Sequence, residues 1–275
     1  MNNTVTRTLS GVVFLAVVLG GLLIHPYLFA LLLLLMMVGM MHEFYALTMG
    51  KSYPAARILF ILSGVLLFAG VFASRKWGMP TKYLPAALVP LYAALIQSLY
   101  VKDKSAFGGF SHLFTGFVYI AIPLAVSNLL VFNREGVFSG RLILSFFILI
   151  WASDVGAYCF GMLFGKNGRK LFPSISPKKS WAGFWGGLAC AVLAALILRW
   201  TGLISLPWYH CAVLAVVMNV AGTFGDLFES EWKRHYDVKD SGTCIPGHGG
   251  LLDRFDSALF AIPAGALYLI LSGLL

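Results

Sequence analysis

Residues 141–164 read RLILSFFILIWASDVGAYCFGMLF. One arginine opens the run and one acid, Asp154, lies inside it. As a helix rising about 1.5 Å per residue, such a segment crosses the roughly 30 Å hydrocarbon layer of a bilayer. The same texture extends outward. Of 275 residues, 59% are hydrophobic and 11% charged, and the mean hydropathy is +0.85. Soluble domains carry about 25% charged residues, and a lipid-facing surface explains the deficit where a larger core does not. A β-barrel would alternate polar and apolar residues in strands of about ten, whereas these runs are long and unbroken. The reading is an all-α, polytopic integral membrane protein.

Apolar stretches at 8–24, 27–49, 57–73, 83–100, 110–132, 141–164, 183–200, 207–225 and 257–275 predict about nine transmembrane helices. The first follows Arg7, lacks a small-x-small cleavage site and is read as a retained span. With a cytosolic N-terminus, Lys and Arg divide 14 to 6 in favour of the cytosolic side. The two longest polar loops, 165–182 and 226–256, are then cytosolic. The net charge of +9 is read as loops that meet anionic membrane lipid, and no nucleic-acid partner is expected. Cys159, Cys190, Cys211 and Cys244 form no C-x-x-C pair, so neither a disulfide framework nor a zinc site is expected. Small residues recur every fourth position at Ala157, Gly161 and Gly165, and again at Gly183, Gly187, Ala191 and Ala195. Such stripes let helices approach closely in lipid, so the sixth and seventh spans are expected to pack tightly. Residues 1–275 are read as a single integral membrane domain.

The few acids are unevenly placed. Of eleven Asp and Glu, seven fall within 226–256: Asp226, Glu229, Glu231, Asp237, Asp240, Asp253 and Asp256. Asp226 and Glu229 are three residues apart, as are Asp253 and Asp256, so each pair shares a face if helical. Carboxylates gathered near one membrane depth suit Mg²⁺, which takes one or two carboxylates and completes its shell with water and substrate phosphate. Asp154 is an ionisable group inside a span and therefore a functional candidate. Glu43, late in the second span, is the other acid within a span.

Two polar stretches complete the constellation. Residues 176–181 read SPKKSW, where Lys178 and Lys179, flanked by Ser176 and Ser180, suit a polyphosphate. Residues 246–250 read PGHGG, with His248 in a turn whose glycines, Gly249 among them, permit close backbone approach to a ligand.

These residues resemble a known family. GDLFESEWKR at 225–234 and KDSGTCIPGHGGLLDRFDS at 239–257 are similar to the signature of phosphatidate cytidylyltransferases, and SDVGAYCFGMLFGK at 153–166 and SPKKSW resemble that family's upstream blocks. The motif-bearing catalytic region is 151–257. The resemblance implies a reaction of CTP with phosphatidic acid that gives CDP-diacylglycerol and pyrophosphate with Mg²⁺. It also implies a cytosol-facing site in the cell membrane and a homodimer. Asp226 and Asp253 stand where the family has metal-associated aspartates. One departure is Ala182, where the family's lysine loop usually carries Glu.

The expected site follows. Asp226 and Asp253 ligate Mg²⁺, with Asp256 and Glu229 as secondary ligands. Lys178 and Lys179 contact the phosphates of CTP, and Ser176 and Ser180 flank them. Lys233, Arg234, Lys239 and Arg254 contact phosphate or pair with the acids. Asp154 lines the same cavity, and Gly249 and His248 bring donors near phosphate. Two alternatives are a CTP-dependent lipid-alcohol kinase of the dolichol kinase type, which would release CDP, and an ion-coupled transporter using Asp154 and Glu43.

Overall fold

A computed structural model describes residues 16–102, 107–166, 168–244 and 249–275. The start of the first expected span and His248 lie outside these residues. Residues 16–23 are helical. Eight helices among the described residues are long and apolar enough to cross a membrane: Pro26–Met49, Pro54–Trp77, Thr81–Tyr100, Phe107–Val131, Arg141–Phe164, Trp181–Trp200, Trp208–His235 and Leu252–Leu271. The polytopic all-α expectation therefore holds, apart from one short hairpin. The α-helical elements are α1 (Pro26–Met49), α2 (Pro54–Trp77), α3 (Leu88–Gln97), α4 (Phe107–Gly116), α5 (Ile122–Val131), α6 (Arg141–Phe164), α7 (Trp181–Trp200), α8 (Trp208–His235) and α9 (Leu252–Leu271). A wider turn, Phe117–Ala121, joins α4 to α5. Many large apolar side chains point outward, among them Leu35, Val89, Val155, Leu163 and Leu193. Such a surface suits lipid and not water.

The chain divides into two compact units, Met1–Phe138 with Val238–Arg254, and Ser139–Asp237 with Phe255–Leu275. The first is built on α1 and α2, with Phe29, Phe44, Tyr45, Phe60, Phe68 and four methionines of α1 (Met36, Met37, Met40, Met41) in its core. His25 caps α1 and Pro26 begins it, a combination suited to a helix start. The Tyr45 hydroxyl donates to the carbonyls of Ser52 at 2.8 Å and Tyr53 at 2.9 Å, which fixes the α1–α2 turn.

The second unit rests on α6 against α7. A methyl group at Gly183 would stand 2.9 Å from the Ala157 carbonyl, and one at Gly187 would stand 2.8 Å from that of Ser153. The expected small-residue seams are thus the contact between these two helices. Within 165–182, expected as a loop, the described residues contain a hairpin instead. Strand β1 (Lys170–Phe172) pairs antiparallel with β2 (Ser176–Ser180). β2 runs directly into α7, whose first turn is capped by Ser180 Oγ accepting from Gly183 N at 3.2 Å. Lys170 Nζ donates to the carbonyls of Gly165 at 2.8 Å and Lys166 at 3.2 Å, tying β1 to the end of α6.

Candidate active site

α8 places the first group of side chains. Its 28 residues span about 42 Å, more than the roughly 30 Å hydrocarbon thickness. The excess is the polar end, where Asp226, Glu229, Lys233 and Arg234 continue the helix beyond the apolar stretch. Asp226 Oδ2 meets Lys179 Nζ at 2.5 Å, and its Oδ1 accepts from Ser230 Oγ at 3.3 Å. Lys179 reaches it because a strand turns successive side chains to opposite faces. On β2, Lys179 is half-buried and Lys178 exposed. Two adjacent lysines are thereby separated into a paired cation and one that faces solvent.

Gly225 brings α9 alongside. A methyl group there would stand 2.6 Å from the Asp256 carbonyl oxygen and 3.0 Å from Phe260 Cβ. This close crossing puts Asp256 near Asp226, and the charge of Asp154 from α6 reaches the same place. Asp154 of α6, Asp226 of α8 and Asp256 of α9 thus act on one another electrostatically, with Lys179 and Lys233 as the opposing cations. Asp256 Oδ1 accepts from the following amide, Ser257 N, at 2.6 Å. Glu229 is buried and ion-paired with Lys233 one turn along α8. Arg234 Nε donates to the Ile175 carbonyl at 3.4 Å, bracing the hairpin turn.

The second group belongs to the other unit. Asp253 Oδ2 accepts three hydrogen bonds: from Gly250 N at 2.8 Å, Ser241 N at 2.9 Å and Ser241 Oγ at 2.9 Å. Buried Glu43 of α1 accepts from Leu251 N at 3.0 Å and Leu252 N at 2.9 Å. These amides lie at the start of α9, where N–H groups lack partners within the helix. Gly249 turns the chain with φ +85°, a region that favours glycine. Among the described residues, the amides of Ser241, Gly250, Leu251 and Leu252 thus point at two protein carboxylates.

The structure brings together Asp154, Asp226, Asp256 and Lys179, and leaves Lys178 exposed on the hairpin. Asp253 and Gly249 lie in the unit that does not contain Asp226. Lys239 and Arg254 are exposed, and Ser176 begins β2 half-buried. Ser180 is buried as a helix cap, which gives its hydroxyl a structural task. Glu43 is absent from the expected site. Its signal was an acid near the end of an apolar span with no Lys or Arg within a helical turn.

Among the described residues no three His, Cys, Asp or Glu side chains converge as a preformed metal shell. Asp154, Asp226 and Asp256 carry hard carboxylate oxygens, the donor type that Mg²⁺ takes.

A family model described as the Cytidylyltransferase family matches residues 5–272. The phosphatidate cytidylyltransferase of Staphylococcus epidermidis (strain ATCC 35984) is 32% identical over 268 residues, 97% of this chain and 98% of that protein. That of Bacillus subtilis (strain 168) is 37% identical over 185 residues, 67% of this chain and 65% of that protein. That of Staphylococcus aureus (strain COL) is 43% identical over 130 residues, 47% and 49% of the two chains. With a match that runs nearly end to end, the chain belongs to the cytidylyltransferase family.

Proposed function

We propose that this protein transfers the cytidylyl group of CTP to phosphatidic acid, releasing pyrophosphate and forming CDP-diacylglycerol for phospholipid synthesis. Family membership supports the reaction. The structural observation that carries it is the Lys179–Asp226 pair at 2.5 Å, set beside Asp154 and Asp256 at the polar end of α8. A phosphate oxygen of phosphatidate attacks the α-phosphorus of CTP. The new P–O bond forms as the bond to the bridging oxygen of pyrophosphate breaks. The nucleophile is already anionic at neutral pH, so no strong general base is required. The barrier is the approach of one anion to another, and fixed positive charge lowers it.

Lys179, held in place by Asp226, faces the phosphates, and exposed Lys178 meets the outer ones. Lys233 and Arg234 supply further positive charge at the end of α8. Asp226 and Asp256 would hold Mg²⁺, with Asp154 beside them. When bound, the ion supplies charge neutralisation and polarisation of the reacting phosphoryl group. The family resemblance also implies a metal-associated role for Asp253. A homodimer in the cell membrane with a cytosol-facing site completes the proposal.

The test is purified protein with CTP, phosphatidate and Mg²⁺, following pyrophosphate and the lipid product. Pyrophosphate and CDP-diacylglycerol in equal amounts are expected. Release of CDP with a phosphorylated lipid alcohol would establish the kinase alternative, and ion flux without CTP turnover would establish the transporter.

A further inference from the structure

A small cavity lies within the second unit, among α6, α8 and α9. Its polar lining is Ser153, Asp154, Asn219 and Ser257, and Met218 and Leu149 supply apolar wall. Asn219 lies seven residues before Asp226 on α8. Two helical turns separate them by about 10 Å on nearly the same face. The cavity is therefore deeper in the bilayer than the acidic cluster and continues from it through Asp154.

Asn219 is buried, with 3% of its surface exposed. Its Oδ1 accepts from Ser153 Oγ at 2.7 Å. Its Nδ2 has no hydrogen-bond partner among the described residues. A buried amide donor left unpaired is destabilising, and in a membrane span no bulk water compensates. The structure around it is nevertheless closely built. A methyl group at Gly187 of α7 would stand 3.2 Å from Asn219 Oδ1 and 2.8 Å from the Ser153 carbonyl. The side chain is thus held by Ser153 on one side and by a glycine seam on another, with its donor unused. The space beside it has room for one oxygen-sized group.

We propose that Asn219 Nδ2 donates to an ester carbonyl oxygen of the acyl chains of phosphatidate. This rests on phosphatidate being the lipid substrate. The chemistry of the site selects this occupant. An ester carbonyl accepts one hydrogen bond, carries no charge, and presents a single oxygen to a space walled by Leu149 and Met218. In one lipid molecule it lies deeper than the phosphate, as Asn219 lies deeper than Asp226. Through this bond Asn219 fixes how far the lipid enters, and so where its phosphate meets the α-phosphorus of CTP.

The experiment compares diacyl phosphatidate with its dialkyl ether analogue, which keeps the phosphate and chains but has no carbonyl. Both are presented in the same mixed micelles, and kcat/KM is measured for each. The unaltered protein should prefer the diacyl lipid by about fivefold, the scale of one neutral hydrogen bond, and Asn219→Ala should reduce the ratio to about one. A merely structural loss would lower both rates together and leave the ratio unchanged. Asn219→Leu keeps much of the volume and removes the donor, and should also bring the ratio to about one. Should a variant bind without turnover, the same ratio is read from displacement of a fluorescent phosphatidate. A ratio near one in the unaltered protein, or a preference that survives both substitutions, overturns the proposal and leaves the cavity to water. Failure of both lipids in the unaltered protein would instead overturn phosphatidate as the substrate.

Discussion

Lys179 and Ser180 are adjacent, yet they have different tasks. Lys179 faces Asp226 across 2.5 Å, and Ser180 turns inward to cap α7. Lys179→Met should therefore lower turnover about a hundredfold or more, the scale of a lost charge at a phosphoryl-transfer centre. Asp226→Asn should lower it comparably, and pyrophosphate release measures both. Near-normal turnover in either would remove this pair from the reaction. Ser180→Ala should instead cost about 1 kcal/mol of stability, as loss of a helix cap does, and leave the Michaelis constant for CTP unchanged. A large rise in that constant would restore the phosphate contact that the sequence suggested. Both lysines and the acids were visible as candidates because charge is rare in this chain. Their division of labour was not visible, because it depends on strand alternation and on which side chain meets a cap. Neither can be read from SPKKSW without knowing that the segment is a strand.

At the scale of elements, the close crossing of α8 and α9 at Gly225 is what assembles the acidic cluster. Gly225→Ala would place a methyl group 2.6 Å from the Asp256 carbonyl, and backbone cannot swing aside as a long side chain can. The helices must separate, so turnover should fall at least tenfold, because a misplacement of about an ångström is enough for that. Unchanged activity would mean that the two carboxylates act independently of the crossing. The anchoring of the glycine-rich loop to α1 is a second such device. Glu43→Ala leaves the amides of Leu251 and Leu252 without their acceptor, at about 1–3 kcal/mol for each buried group. Limited proteolysis within 238–252 should become faster, with Glu43→Gln intermediate because an amide oxygen still accepts. Protection equal to the parent in Glu43→Ala would show that the loop is held by other contacts. The helices themselves were legible from apolar runs, and the α6–α7 seam from spacing four. The hairpin at 170–180 was not, because strands of three and five residues are too short to show an alternating pattern. The loop anchor was also hidden, since it joins residues about two hundred positions apart.

For the whole molecule, sidedness decides whether a water-soluble nucleotide can reach the site. The 14 to 6 division of Lys and Arg favours a cytosolic N-terminus. In that orientation the loop between α8 and α9 is cytosolic, and it carries Cys244. Cys244 is exposed, Cys211 is buried and Cys190 is half-covered. Cys159 is exposed but lies in the α6 span, where an apolar setting disfavours the reactive thiolate. Replacing Cys159 with serine leaves Cys244 as the exposed thiol among the described residues. A membrane-impermeant maleimide should then label inverted membrane vesicles and spare intact cells, and Cys244→Ser should remove the signal. Labelling of intact cells would reverse the orientation and place the polar end of α8 away from cytosolic CTP. The proposed reaction would then lack its nucleotide, so this measurement bears on function as directly as any substitution in the acidic cluster.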